Sequence, residues 1–358
     1  MGPIPPWYLA ALARPGPVPP MRHGTDLNPA GRFERIALHA DDPADACDDR
    51  VTYFDDRSRS IVSRNDAADL PFNFSVNPYR GCVHGCTYCY ARPTHEFLGL
   101  SAGRDFETRL FVKRDAPRLL REFLSKPSWR PEPICFSGVT DAYQPAERRF
   151  RLTRACLEVC RDFGQPVMIV TKNARIVEDL ELLSDMAARD LVRVAVSVTT
   201  LDRELAMALE PRTSVPAARI TTIHRLSESG VPVRVLMAPV IPGLNDHESD
   251  AILTAARDAG AVQASYGMIR LPGNVAPIFE AWLREHRPDA ADAILNRIRD
   301  LHHGRLNDPP GRRMIGDGAW ATTFRAMFNA LHRRHGYTTL APPTADHFAV
   351  PGKQPTLF

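Results

Sequence analysis

Cys82, Cys86 and Cys89 stand in the string GCVHGCTYCY (81–90), and this C-x3-C-x2-C triplet is the part of the chain best suited to chemistry. Three thiolates this close together can wrap one soft metal centre, but they leave a tetrahedral or cubane site one ligand short. A structural zinc site takes four protein ligands, and a cluster that only carries electrons usually has four cysteines. The other cysteines, Cys47, Cys135, Cys156 and Cys160, offer no second close-spaced pair to complete the set. Three thiolates with an open coordination position make a site for chemistry.

Two other uses of these residues stay open. His84 would complete a Cys3His zinc site, although it lies inside the loop between the first two cysteines, where reaching the same metal strains the chain. A disulfide framework fits less well, because the total of 7 cysteines is odd. The N-terminal string MGPIPPWYLAALARPGPVPP has no basic leader and is broken by prolines. The expectation is a reduced, cytoplasmic protein with no membrane partner.

The 358 residues, 44% of them hydrophobic, are enough for a full core with appendages. A net charge of +3 permits a nucleic-acid partner without arguing for one. The 32 prolines gather toward the ends. Residues 1–30 and 339–358 therefore read as disordered tails, with 31–71 as an N-terminal extension.

The elements that must position the triplet follow from hydrophobic patterning. Short β-branched runs predict strands over 72–76, 134–137, 167–171, 192–198, 233–239 and 264–271. Amphipathic stretches over 147–163, 177–189, 217–229 and 247–259 predict helices between them, and Gly164, Gly230 and Gly260 mark helix ends. Six strands with intervening helices imply an α/β fold with a parallel sheet over 72–273. Residues 274–338 read as a helical cap, with helices over 279–286, 291–304 and 319–336. Its Arg312, Arg313, Arg333 and Arg334 read as a solvated basic face or as the edge of a macromolecular site.

In such folds chemistry gathers at the C-terminal ends of strands. The residues there are SGVTDAYQP (137–145), TKN (171–173), Ser197 with Thr199 and Thr200, APVIPGLND (238–246) and Arg270 through Gly273. Turn geometry alone accounts for such residues at any one strand end. Their coincidence at every strand end, beside the cysteine triplet, favours a site.

With Tyr88 just before its last cysteine, the triplet resembles the signature of the radical S-adenosylmethionine (radical SAM) enzymes. The resemblance implies a partial (β/α)6 radical SAM barrel with an N-terminal extension and a C-terminal helical segment. It implies that Cys82, Cys86 and Cys89 hold a [4Fe–4S] cluster, with S-adenosylmethionine chelating the fourth iron. An electron from a flavodoxin- or ferredoxin-type donor then yields a 5′-deoxyadenosyl radical. TDAYQP (140–145), TKN (171–173), SVTTLD (197–202) and EPR (210–212) resemble the spore photoproduct lyase branch, and NPAGRFE (28–34) and NPYRGC (77–82) an uncharacterised bacterial subgroup of it.

By that resemblance, Gly138, Thr140 and Asp141 meet the cofactor's amino group, and Tyr88 and Tyr90 line its adenine and cover the cluster. Lys172, Asn173 and Ser197 hold its ribose and carboxylate, and Arg212 lies near the carboxylate. Spore photoproduct lyase donates a hydrogen atom from a cysteine that corresponds here to Gly138. That departure argues against thymine-dimer reversal by the same route. It leaves Cys135, three residues earlier, either as a catalytic hydrogen donor or as a small buried apolar residue.

Three functions are compatible with these residues: radical chemistry on a nucleic-acid base or nucleotide, as in DNA repair or modification, the same chemistry on a peptide or small metabolite, or a non-enzymatic iron–sulfur redox sensor. The last residues, Gln354-Pro355-Thr356-Leu357-Phe358, resemble the Q-x-x-L-F peptides that dock on the bacterial replication sliding clamp. Gln354, Leu357 and Phe358 would make that contact.

Overall fold

A computed structural model describes residues 23–32, 51–309 and 313–352. Ten strands among the described residues form two sheets. They are β1 (Thr52–Asp55), β2 (Val62–Arg64), β3 (Phe74–Val76), β4 (Tyr79–Arg80), β5 (Arg109–Val112), β6 (Ile134–Phe136), β7 (Val167–Thr171), β8 (Val192–Ser197), β9 (Val233–Val240) and β10 (Gln263–Met268). The larger sheet runs β10-β9-β8-β7-β6-β3-β2, and β1-β5-β4 form the smaller one. From β3 through β6 to β10 the strands are parallel and in chain order, while β2 pairs antiparallel at the edge. This is the six-stranded α/β arrangement expected, and the sheet is open: β10 and β2 are its edges.

Register sorts the side chains into two faces. Phe136, Ile169, Val194 and Val233 lie in one row, with Val196 and Val235 in the next. These rows are the floor on which the helices Leu152–Phe163, Leu180–Ala188, Pro216–Glu228 and Ser249–Asp258 pack. Cys156, Leu157 and Cys160 of the first helix are fully buried in that core. Burying a leucine there contributes about 1.5–3 kcal/mol. The opposite, inner face carries Ser75, Cys135, Met168 and Arg193 in one row, Ala195, Arg234 and Gln263 in the next, and Ser197, Leu236 and Ser265 above them.

Several expectations are corrected. The helix expected over 147–163 is two, Glu147–Phe150 and Leu152–Phe163, because Arg151 takes a left-handed φ of 50°. The break lets the Glu147 carboxylate accept from Arg154 N–H (3.1 Å) and from the Tyr79 hydroxyl. A boundary at 72 cuts through the main sheet, since β2 pairs β3. The cap is divided. Helices Val275–His286 and Ala291–Leu301 pack beside Cys86 and Tyr88, whereas Gly318–Arg334 lies on the outside of β10 with Phe324 and Phe328 against Tyr266. Arg313 does not form a free cationic edge but pairs with Asp69 at 3.0 Å.

Neither tail is wholly unstructured. Residues 338–352 run across the base of the sheet: Thr338 N–H donates to Val262 O (2.9 Å), Thr344 N–H to Asp190 O (2.9 Å) and Ala349 N–H to Phe163 O (2.9 Å). Phe348 and Val350 pack on the core, which is why this proline-rich stretch is fixed. At the other end, His23 and Gly24 dock on Glu107. Cys47, Arg312, Gln354, Leu357 and Phe358 lie outside the described residues. No helix among the described residues is long and apolar enough to cross a membrane.

Candidate active site

The cysteine loop follows β4 at the C-terminal end of the parallel strands, and its backbone is held on two sides. Thr140 Oγ1 and Gln144 Nε2 donate to Gly81 O (2.8 and 3.0 Å), and Val83 N–H donates to Gln144 Oε1 (3.0 Å). On the other side, Arg92 donates to Cys86 O (2.9 Å), Gly85 O (3.1 Å) and Glu107 Oε1 (2.6 Å). Arg212 donates to Val83 O and to Glu107 Oε2, both at 2.5 Å. Burial works to raise the pKa of Glu107, but Arg92, a hydrogen bond from His23 and Arg212 together hold the carboxyl below its usual range. Gly81 and Gly85 have φ of +79° and +70°, and a Cβ on Gly85 would meet Glu107 Oε2 at 2.7 Å, so the loop closes on this carboxylate only with glycine there.

Cys82 and Cys86 are buried, Cys89 is partly so, and all three are free thiols. They lie within electrostatic reach of one another. Burial pushes Cys82 up to about 12 and raises the other two. A metal that takes these sulfurs as thiolates must therefore displace their protons. Among the described residues no three His, Cys, Asp or Glu side chains converge as they would round a single ion. A cubane does not need that convergence, since each thiolate takes a different iron. Three soft, reduced donors on one pinned loop fit such a cluster. His84 turns away from them: its Nε2 lies 3.0 Å from Asn173 Nδ2 and its Nδ1 3.6 Å from Asp141, and burial lowers its pKa to about 4.

The strand ends converge beside the loop. Lys172, after β7, donates to Ala238 O (2.9 Å), lies 3.5 Å from Glu210 and sits over the Tyr88 ring at 5.9 Å. Burial and the neighbouring Arg219 hold Lys172 down to about 8. The Tyr88 hydroxyl and Arg219 both bond Glu210, and Thr199 Oγ1 donates to it at 2.7 Å. Ser197, the last residue of β8, is buried on the inner face, and among the described residues its hydroxyl takes no hydrogen bond. Gly138 has no atom within 4 Å of where a Cβ would stand. Tyr90 is 43% exposed and carries Arg270 4.0 Å over its ring, with Cys89 and Cys135 within electrostatic reach of its hydroxyl. Cys135 is buried on the inner face, where burial pushes its thiol up to about 12 and keeps the S–H intact.

Four expected cofactor contacts are engaged elsewhere. Thr140 holds Gly81. Asp141 accepts from Tyr143 N–H (2.8 Å), Thr171 Oγ1 (2.7 Å) and Lys172 N–H (2.7 Å), tying the loops after β6 and β7 together. Asn173 caps the following helical turn through Arg175 N–H (3.0 Å). Arg212 is neutralised by Glu107 and does not stand free for a carboxylate. The sequence reading missed Glu107, Arg92, His23 and Arg219. Glu210 was visible in EPR (210–212), but the arginine beside it drew the assignment.

Comparison with known proteins bears on this geometry. The family model described as the Radical SAM superfamily matches residues 76–256, β3 through the helix after β9. An uncharacterised protein of Mycobacterium tuberculosis is 35% identical over 314 residues, covering 87% of this chain and 89% of that one. An uncharacterised protein of Methanocaldococcus jannaschii is 28% identical over 175 residues, covering 49% of this chain and 63% of its own. Among solved structures, spore photoproduct lyase complexed with dinucleoside spore photoproduct has a TM-score of 0.60 over 80% of each chain, at 13% identity. That last likeness is one of fold.

Proposed function

The chain belongs to the Radical SAM superfamily and is an enzyme of that class, and on this premise we propose that it acts on a nucleobase or nucleotide with Cys82, Cys86 and Cys89 as its cluster ligands. The observation that carries the reading is the pinned loop of three free thiols, two of them buried, at the C-terminal ends of six parallel strands. When bound, a [4Fe–4S] cluster supplies the electron that cleaves S-adenosylmethionine to methionine and a 5′-deoxyadenosyl radical. The electron itself comes from a separate reductant.

This chain's own residues bind, orient and exclude water. The Arg92–Glu107–Arg212 base fixes the loop backbone that carries the thiols. Lys172 adds a positive charge beside Cys86 and Cys89, which favours their thiolates. The Ser197 hydroxyl, with no partner among the described residues, is available to a polar group of the cofactor. Gly138 leaves room for an approaching ligand. Cys135 holds an S–H on the inner face, in the form a hydrogen-atom donor requires. A nucleotide-type substrate is supported by the dinucleoside bound in the solved structural neighbour and by the exposed Tyr90–Arg270 stack at the rim, where a base can lie on an aromatic face.

The test is anaerobic reconstitution with iron and sulfide, reduction by dithionite, and measurement of 5′-deoxyadenosine released from S-adenosylmethionine. Release well above a Cys86→Ala control is expected. Release equal to that control would reject the reading in favour of a redox sensor. In the same preparation, Ser197→Ala is expected to weaken S-adenosylmethionine binding about 5-fold, near 1 kcal/mol, with iron content unchanged. Equilibrium dialysis measures it, and unaltered affinity would show that Ser197 does not face the cofactor.

A further inference from the structure

The inner face of the sheet holds a charge that the cofactor site does not use. Arg234, the second residue of β9, lies in the row of Ala195 and Gln263. In the sheet, β9 is separated from β6 by β7 and β8. Arg234 and Cys135 both belong to the inner face by register, and the thiol lies within electrostatic reach of the guanidinium. Residues three strands apart come within such reach when the sheet curls and both face its concave side. Among the described residues Arg234 makes no ion pair and no hydrogen bond, and Cys135 is the only charge partner acting on it. The next row up in β10 places Ser265, whose hydroxyl is buried with no hydrogen-bond partner among the described residues.

The base of this concavity is closed. Arg193 pairs with Asp190 at 2.6 Å and donates to Ala341 O at 3.1 Å, and residues 338–344 lie across the strand starts. A ligand therefore enters from the cysteine-loop end and meets Arg234 at the floor. Arg234 is half-buried, and a guanidinium so placed without a counter-charge attracts an anion with several oxygens.

We infer that Arg234, with Ser265 above it, is the floor of the substrate site and binds the phosphate of a nucleotide substrate. This rests on the proposed reading that the substrate reacts at the C-terminal ends of the strands. Phosphate fits better than carboxylate. The arginine fork takes two oxygens, and phosphate offers a third, away from the fork, to accept from the Ser265 hydroxyl, where a carboxylate would have to share an oxygen already bonded to the guanidinium. Four residues of β9 separate Arg234 from Ala238, whose carbonyl holds Lys172. At about 3.3 Å per residue their Cα atoms lie roughly 13 Å apart along the strand.

The test is thermal unfolding of the full chain in inorganic phosphate or in acetate, at matched ionic strength. Wild type is expected to melt higher as phosphate is added, reaching a plateau, while acetate has little effect. Arg234→Met is expected to lose the phosphate response. The same phosphate response in both chains, none in wild type, or acetate matching phosphate would each overturn the inference. Substrate-free release of 5′-deoxyadenosine separates this from the cofactor reading. It is measured in both chains. Its loss in both would sink the cofactor reading, whereas an absent phosphate response with intact release would sink only the floor site.

Discussion

Cys82→Ala, Cys86→Ala and Cys89→Ala are each expected to leave a folded chain that retains almost no iron after reconstitution and releases 5′-deoxyadenosine only at background. Each sulfur is one of three, and among the described residues no fourth cysteine belongs to the loop: Cys135 lies on the inner face of β6, and Cys156 and Cys160 are sealed in the core beneath the helices. Alanine at Cys156 or Cys160 removes one buried sulfur and costs about 1 kcal/mol of stability, but the iron content should equal that of wild type. Iron and sulfide assays with visible absorbance measure the contrast. Cluster loss in Cys160→Ala together with retention in Cys82→Ala would reject the ligand assignment outright.

The parallel strands were legible because β7 to β9 are rich in the β-branched residues Val and Ile. Their length and turn signals then separated them from the helices. The strands β1, β2, β4 and β5 were not legible, since two to four residues with mixed polarity give no periodic signal and are stabilised by partners distant in sequence. The site shows the same division. The thiols are close in sequence, so spacing revealed them. Glu107 bonds Arg212 across 105 residues, a contact that no local pattern encodes. Polar residues at strand ends were found by position, but position alone does not say whether Asp141 or Asn173 serves a ligand or a neighbouring loop. The hydrogen bonds show that both tie loops together, which position along the chain does not reveal.

Glu107→Ala is expected to be the most damaging single substitution outside the cysteines. The carboxylate is fully buried between Arg92, itself with no exposed surface, and Arg212, and it also accepts from Gly24 N–H at 3.1 Å. Removing it leaves two enclosed guanidinium groups without their counter-charge, a loss of about 3–5 kcal/mol. The damage should reach the site. Arg92 and Arg212 hold the carbonyls of Cys86, Gly85 and Val83, so repulsion between them would loosen the loop that carries the thiols. Glu107→Gln keeps the shape but not the charge, and should fall between wild type and alanine. Denaturant unfolding measures the stability loss, and iron retained after desalting measures the loop. If Glu107→Ala unfolds at the wild-type midpoint and retains full iron, the paired arginines do not depend on this carboxylate. If instead stability falls while iron uptake is intact, the loop is held by Gln144 and Thr140 alone, and the two arginines serve the fold rather than the site.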